Sequence, residues 1–246
     1  MALAGIVPRR LQGCWQMALL GAAAVAMWWE MEEAMRAEFQ DWHSHEHFPE
    51  RMRIPGFRRG SRWTRVDDDS RFFVLYELAE YGTLASAAYR ERLDNPTPWS
   101  VKMMPHHRNM VRSQCRVRDS FGSLAAACIG TIRLSPRAGR EEALRDFLRT
   151  TLLSLPERRG LVGGYLLQTD APMAALTKEQ AIRGGDRAAD WIVLVSGYAQ
   201  DAVAEALSGP LGPAALEQAG AASQPLAEVF RLLHLVTPAD MPAAAT

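Results

Sequence analysis

The chain has 246 residues, with 28 basic and 28 acidic side chains, so its formal net charge at pH 7 is zero. This length can bury a core as one large domain or two small ones. The balanced charge gives no electrostatic basis for binding nucleic acid. The three cysteines lack metal-ligand spacing, which fits a reducing compartment and predicts no disulfide framework.

The N-terminus resembles a secretory signal in part. Basic residues at 8–10 precede an apolar run from Met17 to Met27, and Ala24 and Ala26 form an A-x-A pattern. The run is too short to span a membrane, and cleavage after Ala26 would remove most of the first predicted strand. We therefore predict that residues 1–21 are a retained extension of a cytoplasmic protein with no membrane partner. An upstream extension of a shorter native start is the alternative.

The first half predicts six elements in the order β-α-β-β-α-β. Apolar and alternating runs predict strands at 22–31, 57–66, 71–79 and 110–118, with a polar turn at 67–70. Helices are predicted at 32–47, where Met35, Phe39 and Trp42 recur at helical spacing, and at 83–93. This order is that of a ferredoxin-like unit.

The second half repeats the same order. Strands are predicted at 124–134, 161–169, 191–199 and 228–236, and helices at 140–155 and 201–219, the latter broken at Gly209. A Pro-Glu-Arg motif occurs at 49–51 and again at 156–158. It predicts a register in which Gly56 matches Gly163, while Thr150 and Ser154 occupy the positions of His43 and His47.

These repeats predict an α+β fold of two units. Residues 22–122 form the first ferredoxin-like repeat, the active half, and residues 123–240 form the second, the scaffold half. Burying the two sheets against each other gives a pseudo-dimeric α+β barrel with helices outside. The connection at 170–190 is longer than its counterpart, which predicts a lid or a packing flap.

The strongest chemical signal is a run of histidines at the end of the first helix. Three of the six histidines, His43, His45 and His47, lie within five residues. Imidazole titrates near neutrality and suits proton transfer or metal binding. His43 and His47 share a helical face, whereas His45 points elsewhere. Zinc held by His43, Glu46 and His47 is not expected, because Glu46 faces another direction.

A second group of candidates lies in the connection at 95–112. It carries Trp99, Met103, Met104, His106 and His107. One interpretation is a surface loop that the tryptophan anchors to the core. The other is a pocket wall in which His106 or His107 is a second proton donor.

Arginines and aromatic residues complete the predicted site. Arg51 and Arg112 are suited to hold a substrate carboxylate, although an arginine at a helix end commonly satisfies carbonyls instead. Trp63 and Tyr76 lie on adjacent strands and are predicted to face inward together, with the tyrosine able to donate to an oxyanion.

Two segments carry a resemblance to a known family. The stretch from Trp42 through Glu46 and His47 to Pro-Glu-Arg at 49–51, followed by Ile-Pro-Gly-Phe at 54–57, resembles the EthD-like branch of the dimeric α+β barrel superfamily. The tandem element order resembles that superfamily fused into one chain. The resemblance covers residues 22–118. The additional histidines at 43 and 45 depart from the family's pattern.

The resemblance implies a cavity between sheet and helices that holds small apolar molecules, with His47 as the residue carried over. Members of the superfamily include cofactor-free monooxygenases, muconolactone-type isomerases, polyketide cyclases and decarboxylases, and haem-binding enzymes. The resemblance is also compatible with a homodimer of two such fused chains.

The sequence has no phosphate-binding loop, Rossmann fingerprint or nucleophile elbow, so no nucleotide cofactor is expected. We predict a cofactor-independent lyase or isomerase that acts on a hydrophobic aromatic or polyketide-like substrate by decarboxylation, dehydration or isomerisation. A cofactor-free monooxygenase, a haem-binding protein and a non-catalytic binding barrel are the alternatives. The predicted catalytic residues are His43, His47 and His107. The predicted substrate-binding residues are Arg51, Trp63, Tyr76, Trp99, Met103 and Arg112.

Overall fold

The computed structural model describes residues 19–170, 178–182 and 187–242. Most of the predicted N-terminal extension and of the insertion at 170–190 lies outside the described residues, as does the predicted role of that insertion as a lid or flap. Within these ranges, no helix is long and apolar enough to cross a bilayer.

In the described part of the chain, eight antiparallel strands close into one barrel in the order β1-β3-β2-β8-β5-β7-β6-β4. The strands are β1 (Ala23–Met31), β2 (Phe57–Arg65), β3 (Arg71–Leu78), β4 (His107–Gly122), β5 (Cys128–Leu134), β6 (Leu161–Thr169), β7 (Trp191–Gly197) and β8 (Leu226–Val236).

The barrel is made of two equivalent sheets. The first half has the order β4-β1-β3-β2 and the second has the order β8-β5-β7-β6, so β1 and β5 hold equivalent places. The two sheets join along both edges, where β2 pairs with β8 and β4 pairs with β6. The predicted pseudo-dimeric α+β barrel is confirmed. Edge-to-edge closure leaves no unpaired strand edge, which an open sheet would expose.

Helices cover the outside of the barrel. The α-helices are α1 (Arg36–Trp42), α2 (Phe48–Met52), α3 (Ala87–Asp94), α4 (Pro98–Met103), α5 (Glu141–Ser154), α6 (Lys178–Ile182), α7 (Gln200–Ser208) and α8 (Pro213–Ala219). The predicted break near Gly209 is the boundary between α7 and α8. The predicted helix at 83–93 begins instead as a 3₁₀ turn at Tyr81–Ala85, and α3 follows after its N-cap Ser86.

The first predicted helix ends later than the sequence indicated. A π-helical turn at His43–His47 separates α1 from α2, and the helical path continues to Met52. The N–H of Phe48 donates to the carbonyl of His43, five residues back. Pro49 then stands in the first turn of α2, where its missing N–H is not needed. Pro49 is therefore accommodated within the continued helical path.

The predicted connection at 95–112 contains a short helix that the sequence analysis missed. Thr97 caps α4 by accepting a hydrogen bond from the N–H of Ser100, and Pro98 follows at the first helical position. This cap-and-proline pattern is a recognised helix start, so the sequence did carry the signal. β4 is also longer than predicted at both ends.

The predicted register between the halves is wrong by three residues. Phe57 of β2 pairs with Leu78, and Leu161 of β6 pairs with Gly197, and each ladder has a bulge immediately afterwards. Gly56 and Gly160 precede these strands, both with positive φ. Gly56 therefore matches Gly160 and not Gly163. The Pro-Glu-Arg motifs do not occupy equivalent places, so Thr150 and Ser154 are not the counterparts of His43 and His47.

Alternation along the strands divides the apolar side chains into three clusters. One fills the barrel interior and includes Trp28, Trp63, Phe73, Tyr165 and Phe230. The other two lie outside the barrel, between each half-sheet and its helices. An eight-stranded barrel is just wide enough for side chains to fill it. Space for a ligand must therefore be sought under the helices or at a barrel end.

A buried ion pair lies on the interior face of the first half-sheet. Arg59 donates from Nε and Nη2 to the two carboxylate oxygens of Glu77, at 2.5 and 2.9 Å, and the side chain of Glu77 is fully buried. The N–H of Leu20 donates to the same carboxylate at 2.7 Å. Burial raises the pKa of Glu77, an effect that Arg59 opposes.

We expect Glu77→Leu to lower the free energy of unfolding by about 3–5 kcal/mol, because it leaves the Arg59 charge buried without a partner. The double variant Arg59→Met/Glu77→Leu should recover most of that loss, since apolar replacements of a buried pair are tolerated. Urea unfolding of the three proteins is the measurement. An equal loss in the single and double variants would contradict the explanation.

Candidate active site

The π-helical turn decides where the histidines point. Its extra residue brings side chains five apart onto one face, so the ring of Trp42 lies 4.6 Å from that of His47, between centroids. The indole Nε1 of Trp42 donates to Glu46 at 3.0 Å and to Ser100 at 3.2 Å. These bonds tie the turn to α4 and orient His47 against the sheet.

His47 lines a small cavity of about 30 Å³ between the first half-sheet and the helices, here named the arginine cavity. Its lining residues are Val25, Met27, His47, Arg51, Phe57, Tyr76, Tyr89, Leu93, Arg112 and Glu179. The space holds one or two water molecules, since a water needs roughly 10–15 Å³ measured in this way.

A second cavity of about 20 Å³, the histidine cavity, shares His47 and Met27 with the first. Its lining residues are Met27, Trp29, Trp42, His43, His47, Met104, His107 and Met110. The three histidines predicted to be catalytic are therefore brought together here. His45 is exposed on the other side of the turn, as its spacing predicted.

The two predicted arginines meet in the arginine cavity. Arg51 donates from Nη2 to Glu179 of α6 at 2.6 Å, and both side chains are almost fully buried. Its Nη1 is buried without a hydrogen-bond partner. Arg112 donates to the hydroxyl of Tyr89 at 2.8 Å. Both guanidinium groups are held by the protein and face the same small space.

Tyr76 supplies a hydroxyl to this space. It is 3% exposed, and its oxygen is buried without a hydrogen-bond partner. Burial raises the pKa of Tyr76 well above its ordinary value, although Arg51 opposes the shift. The hydroxyl is therefore protonated at neutral pH and is a donor. A buried polar group left without a partner is costly and marks a place where a ligand can bind.

His43 is a neutral neighbour of His47. Their ring centroids are 5.3 Å apart, and His43 also packs against Trp29, Phe39 and Phe48. Its Nδ1 is buried without a hydrogen-bond partner. Burial, followed by the positive charge of Arg62, holds the pKa of His43 well below its ordinary value. It is therefore not an acid at neutral pH, and its contact with His47 is by ring packing.

His107 and His106 have different environments. The Nδ1 of His107 faces the carbonyl oxygens of Met103 and Met104 at 3.1 and 3.2 Å, so it carries the proton and donates. Nε2 is then the acceptor nitrogen of the neutral ring. His106 instead pairs with Glu32 at 3.2 Å in a half-exposed position. Of the two, His107 is the one that lines a cavity.

Three predicted substrate-binding residues lie away from both cavities. Trp63 pairs across the strands with Phe73 and points into the barrel interior, whereas Tyr76 points outward. The expectation that the two face inward together is corrected, because the side chains alternate between sheet faces. Trp99 donates to Glu38 at 3.1 Å near the surface. Met103 is buried in the outer core, and Met104 lines the histidine cavity instead.

Sequence reasoning missed three residues that complete the site. Tyr89 of α3 and Glu179 of α6 line the arginine cavity, and Trp29 lines the histidine cavity. Trp29 lies in an apolar strand where periodicity could not distinguish it from core. Glu179 comes from the insertion, which has no periodic pattern to place it.

A larger cleft, about 490 Å³, lies apart from these residues at one end of the barrel. Its wall includes Glu228, whose buried carboxylate accepts from Arg65, Arg71 and Arg133. That carboxylate is already satisfied by three partners and lies next to no histidine. The paired cavities, with their unpartnered donors, are the better candidate for chemistry. Among the described residues, no group of three side chains is arranged to hold a metal ion.

Comparisons with known proteins report the fold alone. No family model matches the chain, and no curated protein matches it. A solved structure described as an anthrone oxidase-like protein has a TM-score of 0.62 at 14% identity, covering 93% of this chain and 98% of its own. A putative monooxygenase from Fusobacterium nucleatum subsp. nucleatum has a TM-score of 0.58 at 8% identity, covering 89% and 96%.

A putative monooxygenase from Lactobacillus acidophilus NCFM has a TM-score of 0.57 at 9% identity, covering 88% of this chain and 97% of its own. These likenesses define the class of protein: a dimeric α+β barrel of ferredoxin-like repeats, here with both repeats in one chain. They do not single out the EthD-like branch, which stays a prediction from the motif.

The depressed pKa of His43 predicts that stability falls in mild acid. Below an ordinary imidazole pKa of about 6.5, the unfolded chain binds a proton that the folded chain excludes, so unfolding gains up to about 1.4 kcal/mol per pH unit from this group. Urea unfolding between pH 7 and pH 5 should therefore show a smaller loss for His43→Phe than for the wild type. Identical pH dependence in the two would show that His43 is protonated in the folded state.

Proposed function

We propose that this protein is an enzyme that removes a proton from a small aromatic substrate and stabilises the resulting oxyanion, after which the substrate carbanion reacts directly with oxygen. The observation that carries the proposal is the meeting of His47, the unpartnered hydroxyl of Tyr76 and the unpartnered Nη1 of Arg51 in one small cavity. A base, a hydroxyl donor and a buried positive charge are the parts that such a deprotonation needs.

The roles follow from the chemistry of each group. His47 is the general base that accepts the proton from carbon. Tyr76 donates to the oxygen on which negative charge develops, the positive charge of Arg51 stabilises that charge, and the burial of both strengthens these interactions. The apolar wall formed by Met27, Phe57 and Leu93 packs against the substrate ring and excludes water.

The oxidation then requires oxygen and no bound cofactor. The carbon–hydrogen bond breaks toward His47, and the electron pair remains on carbon, delocalised to the oxyanion. Molecular oxygen adds to that carbon to give a hydroperoxide, which loses water and leaves a carbonyl group. One oxygen molecule enters and one water leaves. The names of the structural neighbours, an anthrone oxidase-like protein and putative monooxygenases, support this outcome.

The second candidate is a lyase or isomerase that uses the same proton transfer without oxygen. The same base and donors favour it equally, because decarboxylation and isomerisation pass through the same kind of stabilised anion. Turnover of an anthrone carboxylate and a panel of phenolic carboxylates with and without oxygen separates the two. We expect oxygen consumption that matches product formation. Equal turnover under nitrogen would support the lyase or isomerase, and a Soret band in purified protein would support the haem alternative.

We expect His47→Gln to lower the rate by about 10²-fold or more, the effect of losing a general base, while the fold survives. The ionisation near neutrality that an imidazole base gives to the pH–rate profile should disappear with it. Ser154→Ala is the control on the scaffold half, where the hydroxyl donates to the carbonyl of Thr151 and accepts from Arg158. It should retain activity within about tenfold. Comparable losses in both variants would remove His47 from the mechanism.

We expect Tyr76→Phe to separate activity from stability. Losing an oxyanion donor costs about 10²–10³-fold in kcat, whereas removing a buried hydroxyl that has no partner should leave the unfolding free energy unchanged or slightly higher. Kinetics and urea unfolding of the same samples test both parts.

The matched control is Tyr165→Phe, which removes a buried hydroxyl in the barrel interior whose neighbour is Ser196. It should keep its activity. A Tyr76→Phe variant with wild-type kcat would exclude the hydroxyl as a donor to the reacting substrate.

A further inference from the structure

Among the residues that the structure describes, the charges that line the arginine cavity do not balance. Arg51 and Arg112 are 3% and 9% exposed, and Glu179 is the carboxylate that lines the same space. The partners of Arg112 are neutral oxygens, the hydroxyl of Tyr89 and, with its amide turned, the carbonyl of Gln114. Buried charges normally have opposite charges as partners. Two guanidinium groups facing one carboxylate therefore indicate a site that accepts additional negative charge.

The contact between Arg51 and Glu179 is incomplete. Glu179 engages Nη2 of Arg51 at 2.6 Å, while Nη1 remains buried and unpartnered. A guanidinium group matches a carboxylate best through two parallel hydrogen bonds. A free carboxylate in the position of the Glu179 head group can meet both nitrogens. The protein carboxylate leaves Nη1 unused, and a ligand carboxylate can use it.

The arginine cavity is too small for an aromatic ligand to bind beside Glu179, so the ligand must replace the Glu179 side chain. The arginine cavity measures about 30 Å³, whereas a dry cavity that binds benzene measures roughly 150 Å³. An aromatic ligand therefore does not fit beside Glu179. Moving the Glu179 side chain away both enlarges the cavity and exposes the guanidinium group of Arg51.

We propose that Arg51 forms a subsite for the carboxylate of an aromatic substrate, and that Glu179 occupies this subsite until the substrate displaces it. The proposal names the substrate class for the function proposed above, an aromatic carboxylate with an acidic carbon–hydrogen bond conjugated to an oxygen. With Glu179 displaced, the positive charges of Arg51 and Arg112 match the ligand carboxylate and the oxyanion that forms on deprotonation.

This exchange also makes the site selective. Breaking a buried ion pair is strongly unfavourable when one charge is left without a partner. A neutral aromatic molecule that displaced Glu179 would leave Arg51 in that state, whereas a carboxylate restores the pair. The subsite therefore admits anions and resists apolar molecules of the same shape.

The test measures binding without turnover. The probes are 2-hydroxybenzoate and its neutral amide, titrated by calorimetry under nitrogen into the wild type, Glu179→Gln, Arg51→Met and the exposed control Glu157→Gln. We expect the wild type to bind the carboxylate and not the amide. Glu179→Gln should bind the carboxylate at least tenfold more tightly, because the side chain at position 179 that competes with the ligand for Arg51 is then uncharged. Glu157→Gln should behave as the wild type, and Arg51→Met should lose the preference for the carboxylate.

Thermal unfolding covers the case in which Glu179→Gln is destabilised. The loss of Glu179 leaves Arg51 unpaired, so Tm should fall, and 2-hydroxybenzoate should restore it while the amide does not. Unchanged carboxylate affinity in Glu179→Gln, or a lowered Tm that the carboxylate does not restore, would overturn the proposal. If 2-hydroxybenzoate still binds to His47→Gln but the wild type oxidises no substrate, the subsite is supported and the proposed oxidation is rejected.

Discussion

The filling of the barrel interior is the constraint on which the rest of this structure depends. Eight strands enclose a space that Trp28, Trp63, Phe73, Tyr165 and Phe230 occupy with their side chains. With these side chains in the interior, the cavities that carry histidines lie between sheet and helix. The residues available for chemistry therefore depend on how the helices of each half pack against its sheet. Because each half has its own helices, the two halves can carry different residues there.

They differ most in the helix that follows the first strand. In the second half, α5 is a regular helix whose Leu144, Leu148 and Leu152 are fully buried against the sheet. In the first half, the helix carries the buried side chains Trp42, His43 and His47 at a π-helical turn, and its path continues through Pro49. Gly60 of β2 permits this packing, since a side chain there would meet the ring of Phe48. A single extra residue in one turn thus produces a polar site on one half of a symmetric scaffold.

Buried charge has two different roles in this protein. The Arg59–Glu77 pair is complete, with both carboxylate oxygens engaged, and it joins β2 and β3 on the inner face of the first half-sheet. The Arg51–Glu179 pair is incomplete and adjoins a second guanidinium group and an unpartnered hydroxyl. A fully paired charge has no hydrogen-bonding group left for a ligand. A complete ion pair is therefore structural, whereas an incomplete ion pair can be part of a binding site.

Local patterns were sufficient for the parts of the protein that local physics controls. Alternation and helical spacing predicted the eight strands, the repeat of β-α-β-β-α-β and hence the barrel, and the spacing of His43 and His47 predicted a shared face. The Pro-Glu-Arg motifs gave the wrong register, because strand pairing and the turns at Gly56 and Gly160 fix the alignment, not a short motif at a helix end. Only the tertiary structure brought His107, Arg112 and Glu179 from distant segments to His47 and put Trp63 on the other face of the sheet from Tyr76. Sequence determines which side chains an element presents, whereas closure of the barrel and packing of the helices decide which of them meet.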